Sequence, residues 1–173
     1  MEAIAERAGA SKVTIYRWWS HKAAVVLDAM LDTTPRIESA PSGSPLVSLL
    51  AQMRSFARFL GSRRGRLLAQ VVAEGVTDPE VGAAYRAHWV KPRRDAARTL
   101  LRGAIDAGEL SPEIDVDATL DALFGPLYYR FLIQHAPLTK EFAETIFRTV
   151  MSGIAVKSLA PTERAQAQGS SGK

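Results

Sequence analysis

The chain has 173 residues, enough for one or two small domains, and its 47% hydrophobic and 23% charged content is ordinary for a soluble globular protein. With no cysteine it has no disulfide and no thiolate metal site. It contains no apolar run of about 18 residues and no signal-peptide pattern, so a cytoplasmic protein is expected, and its net charge of +4 suits nucleic-acid binding without requiring it.

No stretch alternates apolar and polar residues without helical spacing competing, so the chain reads as all-α. A first short helix is predicted over residues 2–7, with Ile4, Ala5 and Ala8 inward, before a turn at Gly9. Ser11 suits the N-cap of a second helix ending at Trp18 or Trp19, because its hydroxyl can accept from an otherwise unpaired backbone N–H. Ser20 caps a third helix over 21–32, in which Ala24, Leu27 and Leu31 recur at helical spacing. Pro35, Pro41, Gly43 and Pro45 then break the pattern, either as a long loop or, as favoured here, as the boundary between two units.

Beyond it, Leu46, Leu49, Leu50, Met53, Ala57 and Leu60 form an apolar face that Phe56 and Phe59 widen, and Gly61 ends that helix. A helix over 64–74 carries Leu67, Leu68, Val71 and Val72. Asp78 and Pro79 have the cap-then-proline order of a helix start, and the run they open extends to about Ala107. Pro92 falls inside it, where a proline costs about 3 kcal/mol in a straight helix, so a kink or break near residues 88–92 is expected. Asp115 or Asp117 caps the next helix, which buries Leu120, Leu123, Phe124, Leu127, Tyr128 and Phe131 and should be distorted at Gly125 and Pro126. Thr139 caps the last, containing Phe142, Ile146, Phe147, Val150 and Ile154. The expected organisation is a helix-turn-helix unit over 1–33, a linker or loop over 34–45, a helical domain over 46–160 and a disordered tail over 161–173.

Two short helices joined by a tight turn, with small residues at their contact, form a helix-turn-helix whose second helix can enter a major groove. On that helix Lys12, Thr14 and Arg17 should face outward, with Thr14 and Arg17 as candidate base readers. Tyr16 offers a rigid phenolic O–H to a phosphate, and His21 and Lys22 open the following helix, whose free N–H groups favour an anion. Otherwise Lys12, Thr14, Arg17, His21 and Lys22 would be solvated helix-surface positions and Tyr16 and Trp18 core, and Trp19 is expected inward.

In the second unit nothing suggests catalysis. His21, His88 and His135 are far apart in sequence, and neither Ser11 nor Ser20 has a general-base neighbour, so no enzyme activity, metal or cofactor is expected. Phe56, Phe59, Tyr85, Trp89, Phe124, Tyr128 and Phe131, with His88 nearby, supply aromatic surface that either fills a core or lines a pocket for a mostly apolar ligand. The last two helices are apolar over more than one stripe, so the same pair from a second copy would complete a four-helix, two-fold interface.

The segment IAERAGASKVTIYRWWSHKAAVV, through Ile4, Ala5, Ala8, Gly9, Ser11, Ile15, Tyr16, Trp19 and Lys22, closely resembles the second half of the DNA-binding domain of TetR-family transcriptional regulators. A looser resemblance runs to about Val156 through PRR at residues 92–94, GEL at 108–110 and FGPLYYRFL at 124–132. It implies that Ser11 caps the recognition helix, that Tyr16 and Lys22 hold phosphates, and that Lys12, Thr14 and Arg17 face operator DNA. It also implies homodimerisation through the last two helices and a small-molecule effector in the C-terminal domain, which together suggest a repressor released from a palindromic operator by a small apolar compound. Family members carry a further helix ahead of this stretch and no residue precedes Met1, so an incomplete three-helix domain is expected, with Ile4, Ile15 and Trp19 short of a partner. The alternative is a truncated helical dimerisation or interaction module that does not bind DNA, or a small-molecule-binding protein.

Overall fold

The computed structural model describes residues 1–19, 22–33 and 43–154. The expectations for Ser20, His21, most of the linker and the C-terminal tail lie outside the described residues. Within them every regular element is helical, and no helix is long and apolar enough to cross a membrane.

The N-terminal helices are short because their capping residues stop them. Helix α1 (Glu2–Ala8) ends at Gly9, whose φ of 61° is left-handed and whose N–H returns to the carbonyls of Ala5 and Glu6. Helix α2 (Lys12–Trp18) begins at Ser11, whose Oγ accepts from Thr14 N at 3.1 Å. These two helices pack on each other and bury Ala5 and Ile15, while Ala8 is exposed at the end of α1. Helix α3 (Lys22–Thr33) runs from this unit into the main core, to which it contributes Ala23, Leu27 and Met30.

The remaining chain forms α4 (Pro45–Leu60), α5 (Arg63–Thr77), α6 (Pro79–Ala84), a π-helical turn (Tyr85–Val90), α7 (Lys91–Asp106), α8 (Val116–Ile133) and α9 (Lys140–Ile154). Side-chain caps open most of these elements. Asp78 Oδ1 accepts from Glu80 N at 2.9 Å and Val81 N at 3.3 Å, and Thr139 Oγ1 accepts from Phe142 N at 3.2 Å. Asp115, rather than Asp117, caps α8, through Ala118 N at 2.9 Å. Ser44 caps α4, so Pro45 is the first helical residue and not the end of the linker.

Helix α4 is central, packing on α5, α7, α8 and α9. Leu49, Met53, Trp89, Leu101, Leu123 and Leu127 are wholly buried, and full burial of such side chains contributes about 1.5–3 kcal/mol each. Ion pairs fasten the helices at the periphery. Arg54 Nε meets Glu144 Oε1 at 2.8 Å across α4 and α9. Arg94 and Arg98 of α7 hold Asp117 of α8 at 3.1 and 2.6 Å, and Arg94 also reaches Asp121 at 2.5 Å. Helices α5 and α6 approach closely where Gly82 faces Gly75: a Cβ on Gly82 would lie 2.6 Å from Gly75 O.

Two prolines act differently from what their positions suggest. Pro92 does not break its helix; the preceding turn widens, and Lys91 N–H bonds to Arg86 O, five residues back. A proline lacks the N–H for an α-helical bond and its ring crowds the carbonyl four residues earlier, here that of His88, so a wider turn relieves both conflicts. Pro126 lies within an uninterrupted α8. The clash between a proline ring and the Cβ of the residue before it is absent, because that residue is Gly125.

Candidate nucleic-acid interface and aromatic site

Only Ile15 of α2 is buried, which leaves the rest of that helix as surface. Ser11, Lys12, Val13, Thr14, Tyr16, Arg17 and Trp18 are all exposed, Val13 to 81% and Trp18 to 74%, and Lys22 is exposed at the start of α3. Ser11 Oγ lies 2.9 Å from Thr14 Oγ1 while also capping the helix, so Thr14 is held in one orientation at the first turn. Lys12 is ion-paired with Glu2 of α1. The hydrogen bond from Lys12 holds the Glu2 carboxyl well down, at about 2, so that group stays ionised through the neutral range. Being exposed, it can exchange for a phosphate at little cost. His21 lies outside the described residues.

Trp19 is half-buried and directs its Nε1–H to Asp28 Oδ2 at 2.7 Å. This bond ties the end of α2 to α3 and was not foreseen from sequence, where Trp19 was expected inward. Helix α3 in turn packs on α5, α6 and the π-helical turn, so a mechanical path leads from the exposed face of α2 to the C-terminal core.

Seven of the eight candidate ligand residues meet in one aromatic group. Phe56 and Phe59 come from α4, Tyr85 and Trp89 from the π-helical turn, and Phe124, Tyr128 and Phe131 from α8. Phe56 sits 6.0 Å from Phe124 and 5.4 Å from Tyr128 between ring centres; Phe59 lies 5.1 Å from Trp89, and Tyr128 6.4 Å from Phe131. His88 is not among them: one residue before buried Trp89, it is carried onto the exposed side of the turn.

The aromatic group has a polar centre. Tyr85 donates to the Tyr128 hydroxyl at 3.1 Å, and burial pushes both phenols well above their ordinary range, so both keep their protons. Trp89 Nε1 lies near the Tyr128 hydroxyl without completing a hydrogen bond and has no other partner. Arg93 of α7 lays its guanidinium over the indole of Trp89, 3.4 Å from the ring centre, and donates through Nη1 to Trp89 O at 3.2 Å. Arg93 belongs to this site and was missed as a candidate. Its signal was the spacing of Tyr85, Trp89 and Arg93, which recur every four residues along one helical run.

The family profile described as "Tetracyclin repressor-like, C-terminal domain" matches residues 40–150. The chain is 35% identical over 159 residues to the "Uncharacterized HTH-type transcriptional regulator YdeS" of Bacillus subtilis (strain 168), covering 91% of this chain and 80% of that one. It is 28% identical over 152 residues to the similarly described Rv1556 of Mycobacterium tuberculosis (strain ATCC 25618 / H37Rv), covering 87% of this chain and 75% of that relative. Among solved structures, the TetR family transcription regulator SCO0332 superposes with a TM-score of 0.76 at 32% identity, covering 90% of this chain and 86% of that one. With a capped, outward-facing second helix and an all-helical C-terminal unit, the chain belongs to the TetR family of transcriptional regulators.

Proposed function

We propose that the protein is a homodimeric repressor that acts in the cytoplasm and leaves its operator when a small, largely apolar effector binds. The observation that carries this reading is the bare outer face of α2, whose first turn is fixed by the Ser11 cap. Thr14 and Arg17 read base edges there, with Lys12 beside them once Glu2 releases it; Tyr16, His21 and Lys22 hold phosphates. The dimer forms through α8 and α9. Supporting this, Tyr129, Leu132 and Ile133 are 60%, 47% and 58% exposed and lie three and four residues apart along α8, an apolar stripe that a second copy would cover. Two heads so joined, about 34–36 Å apart or a multiple of that, match a near-palindromic site.

The effector enters among Phe56, Phe59, Tyr85, Trp89, Phe124, Tyr128 and Phe131; His88, on the solvent side, is left outside. Tyr85 and Trp89 lie on the turn against which α3 packs, so a ligand that repositions them moves the helix tied to α2 by Trp19 and Asp28. DNA and effector are then negatively coupled, by about 1–3 kcal/mol as is usual for such pairs of sites. Residues 1–33 serve as the reading unit and 46–160 as the sensing and dimerising unit.

Titration of a duplex bearing the intergenic sequence beside the gene, at fixed salt, tests the assignment. The double change Tyr16→Phe and Lys22→Ala should weaken binding to every sequence and reduce the salt dependence, whereas Thr14→Ala should change mainly the sequence preference. Unaltered binding in both variants would remove α2 as the reading helix.

A further inference from the structure

The arginines of this protein differ in how their charge is answered. Arg54, Arg94 and Arg98 each meet one or more carboxylates at the surface. Arg93, next to Arg94 in sequence, turns the other way, into the aromatic group. Among the described residues it has no carboxylate within ion-pair distance, and its hydrogen bond goes to a neutral carbonyl. It is half-buried, and its removal from water opposes its charge. Arginine does not respond by losing its proton, so the charge remains and is left without a counter-ion.

Two further donors beside it lack a completed hydrogen bond. Trp89 Nε1 is buried and unpartnered. Tyr128 accepts from Tyr85, and its own proton finds no acceptor among the described residues. A guanidinium with no carboxylate, an indole N–H with no completed hydrogen bond and a phenol O–H thus lie together, and an unanswered buried donor or charge is costly. Around them stand Phe56, Phe59 and Phe124, none of them fully buried, which offer only apolar contact.

We propose that the effector is an organic acid, whose carboxylate takes Arg93, Tyr128 and Trp89 as its donors and whose apolar body lies against the phenylalanines. The inference rests on the reading of this aromatic group as the effector site and assigns its ligand class. A planar carboxylate matches the fork of a guanidinium, which can contact it through two parallel N–H groups while its face stays stacked on Trp89. Arg93 also lies in the first turn of α7, three residues beyond the π-helical turn, so a charge drawn to it pulls on the element that contacts α3.

Calorimetric titration of the full chain with hexanoate, decanoate and benzoate, each compared with its primary amide, tests the proposal. At least one acid should bind about tenfold more tightly than its amide, the difference expected for a charge-assisted contact. Arg93→Gln should abolish that preference, and Arg93→Lys should retain part of it. Because Arg93→Gln removes a half-buried charge that has no counter-ion while losing the stacking on Trp89 and the bond to Trp89 O, its thermal midpoint should stay close to that of the unaltered chain. Tyr128→Phe leaves the guanidinium in place and should weaken the acids several-fold more than the amides. Equal affinity for acid and amide, or a preference that survives Arg93→Gln, would overturn the anion site while leaving an apolar effector site intact. Binding of neither class would overturn both readings.

Discussion

Replacing Trp19 by Phe removes one N–H from the joint between the reading helix and the core. The bond it breaks, Nε1 to Asp28 Oδ2 at 2.7 Å, has an ionised acceptor, and such bonds contribute about 1.5–3 kcal/mol when well shielded. Both side chains are only half-buried, so water recovers part of the loss at Asp28 and the hydrogen-bond share falls to about 1 kcal/mol. The smaller ring forgoes some tens of Å2 of apolar contact, adding about 0.5 kcal/mol. A total near 1.5 kcal/mol corresponds to about a tenfold weaker duplex affinity if the bond holds α2 in its reading orientation. The double-mutant cycle of Trp19→Phe with Asp28→Ala, read by urea unfolding and by duplex titration at fixed salt, isolates the bond from the packing. A coupling energy of about 1 kcal/mol is expected. Additive effects of the two changes would show that α2 is held by something other than this bond.

Gly82→Ala should lower the urea midpoint, because its Cβ would lie 2.6 Å from Gly75 O, and parting the two helices costs about 1–3 kcal/mol, more than the gain of about 1 kcal/mol in helix propensity; a raised midpoint would contradict the close approach. The carboxyls of Asp117 and Asp95 are held below their ordinary range, Asp117 chiefly by its hydrogen bond from Arg98 and Asp95 by that from Lys91. Their contribution is therefore full above the unfolded value of about 3.9 and is lost as pH falls through the lower folded values. The thermal midpoint should drop in that acid range, and Asp117→Asn should make the drop shallower.

Most of the helical frame was legible because its signals are local. Ser11, Asp78 and Thr139 cap helices through their own side chains, and Leu49, Met53, Ala57 and Leu60 mark the buried face of α4 by spacing alone. Errors arose where one residue type carries two meanings. Pro45 reads equally as loop and as first helical residue, and only the Ser44 cap decides. Pro92 signals a disruption without specifying that it would take the form of a widened turn. The aromatic group assembled from three segments because each of its members already lay on an apolar stripe. The chemistry at its centre was hidden, since Arg93 is distinguished from Arg94 by lacking an acid nearby, a property of the packing and not of the residue. For the same reason Asp28 could not be paired with Trp19 before the angle between α2 and α3 was known.

The wide turn at Tyr85–Val90 also sets the phase of the chain on either side of it. At about 100° per residue, an unbroken α-helix would place Val81 and Leu101 about 200° apart, nearly back to back. Both are buried, at 3% and 0% exposure. A π-helical turn absorbs about one extra residue, hence about 100° of rotation, and brings the two faces to about a quarter turn of each other. This lets α6 lean on α5 and α3 while α7 leans on α4 and α8 without a loop between them. Deleting one residue from this segment would restore regular α-helix with Val81 and Leu101 still about a quarter turn apart, whereas forcing regular α-helix on the full-length segment would swing Leu101 away from the core; sliding the wide turn along the helix would rotate Tyr85 and Trp89 with little movement of the helix ends.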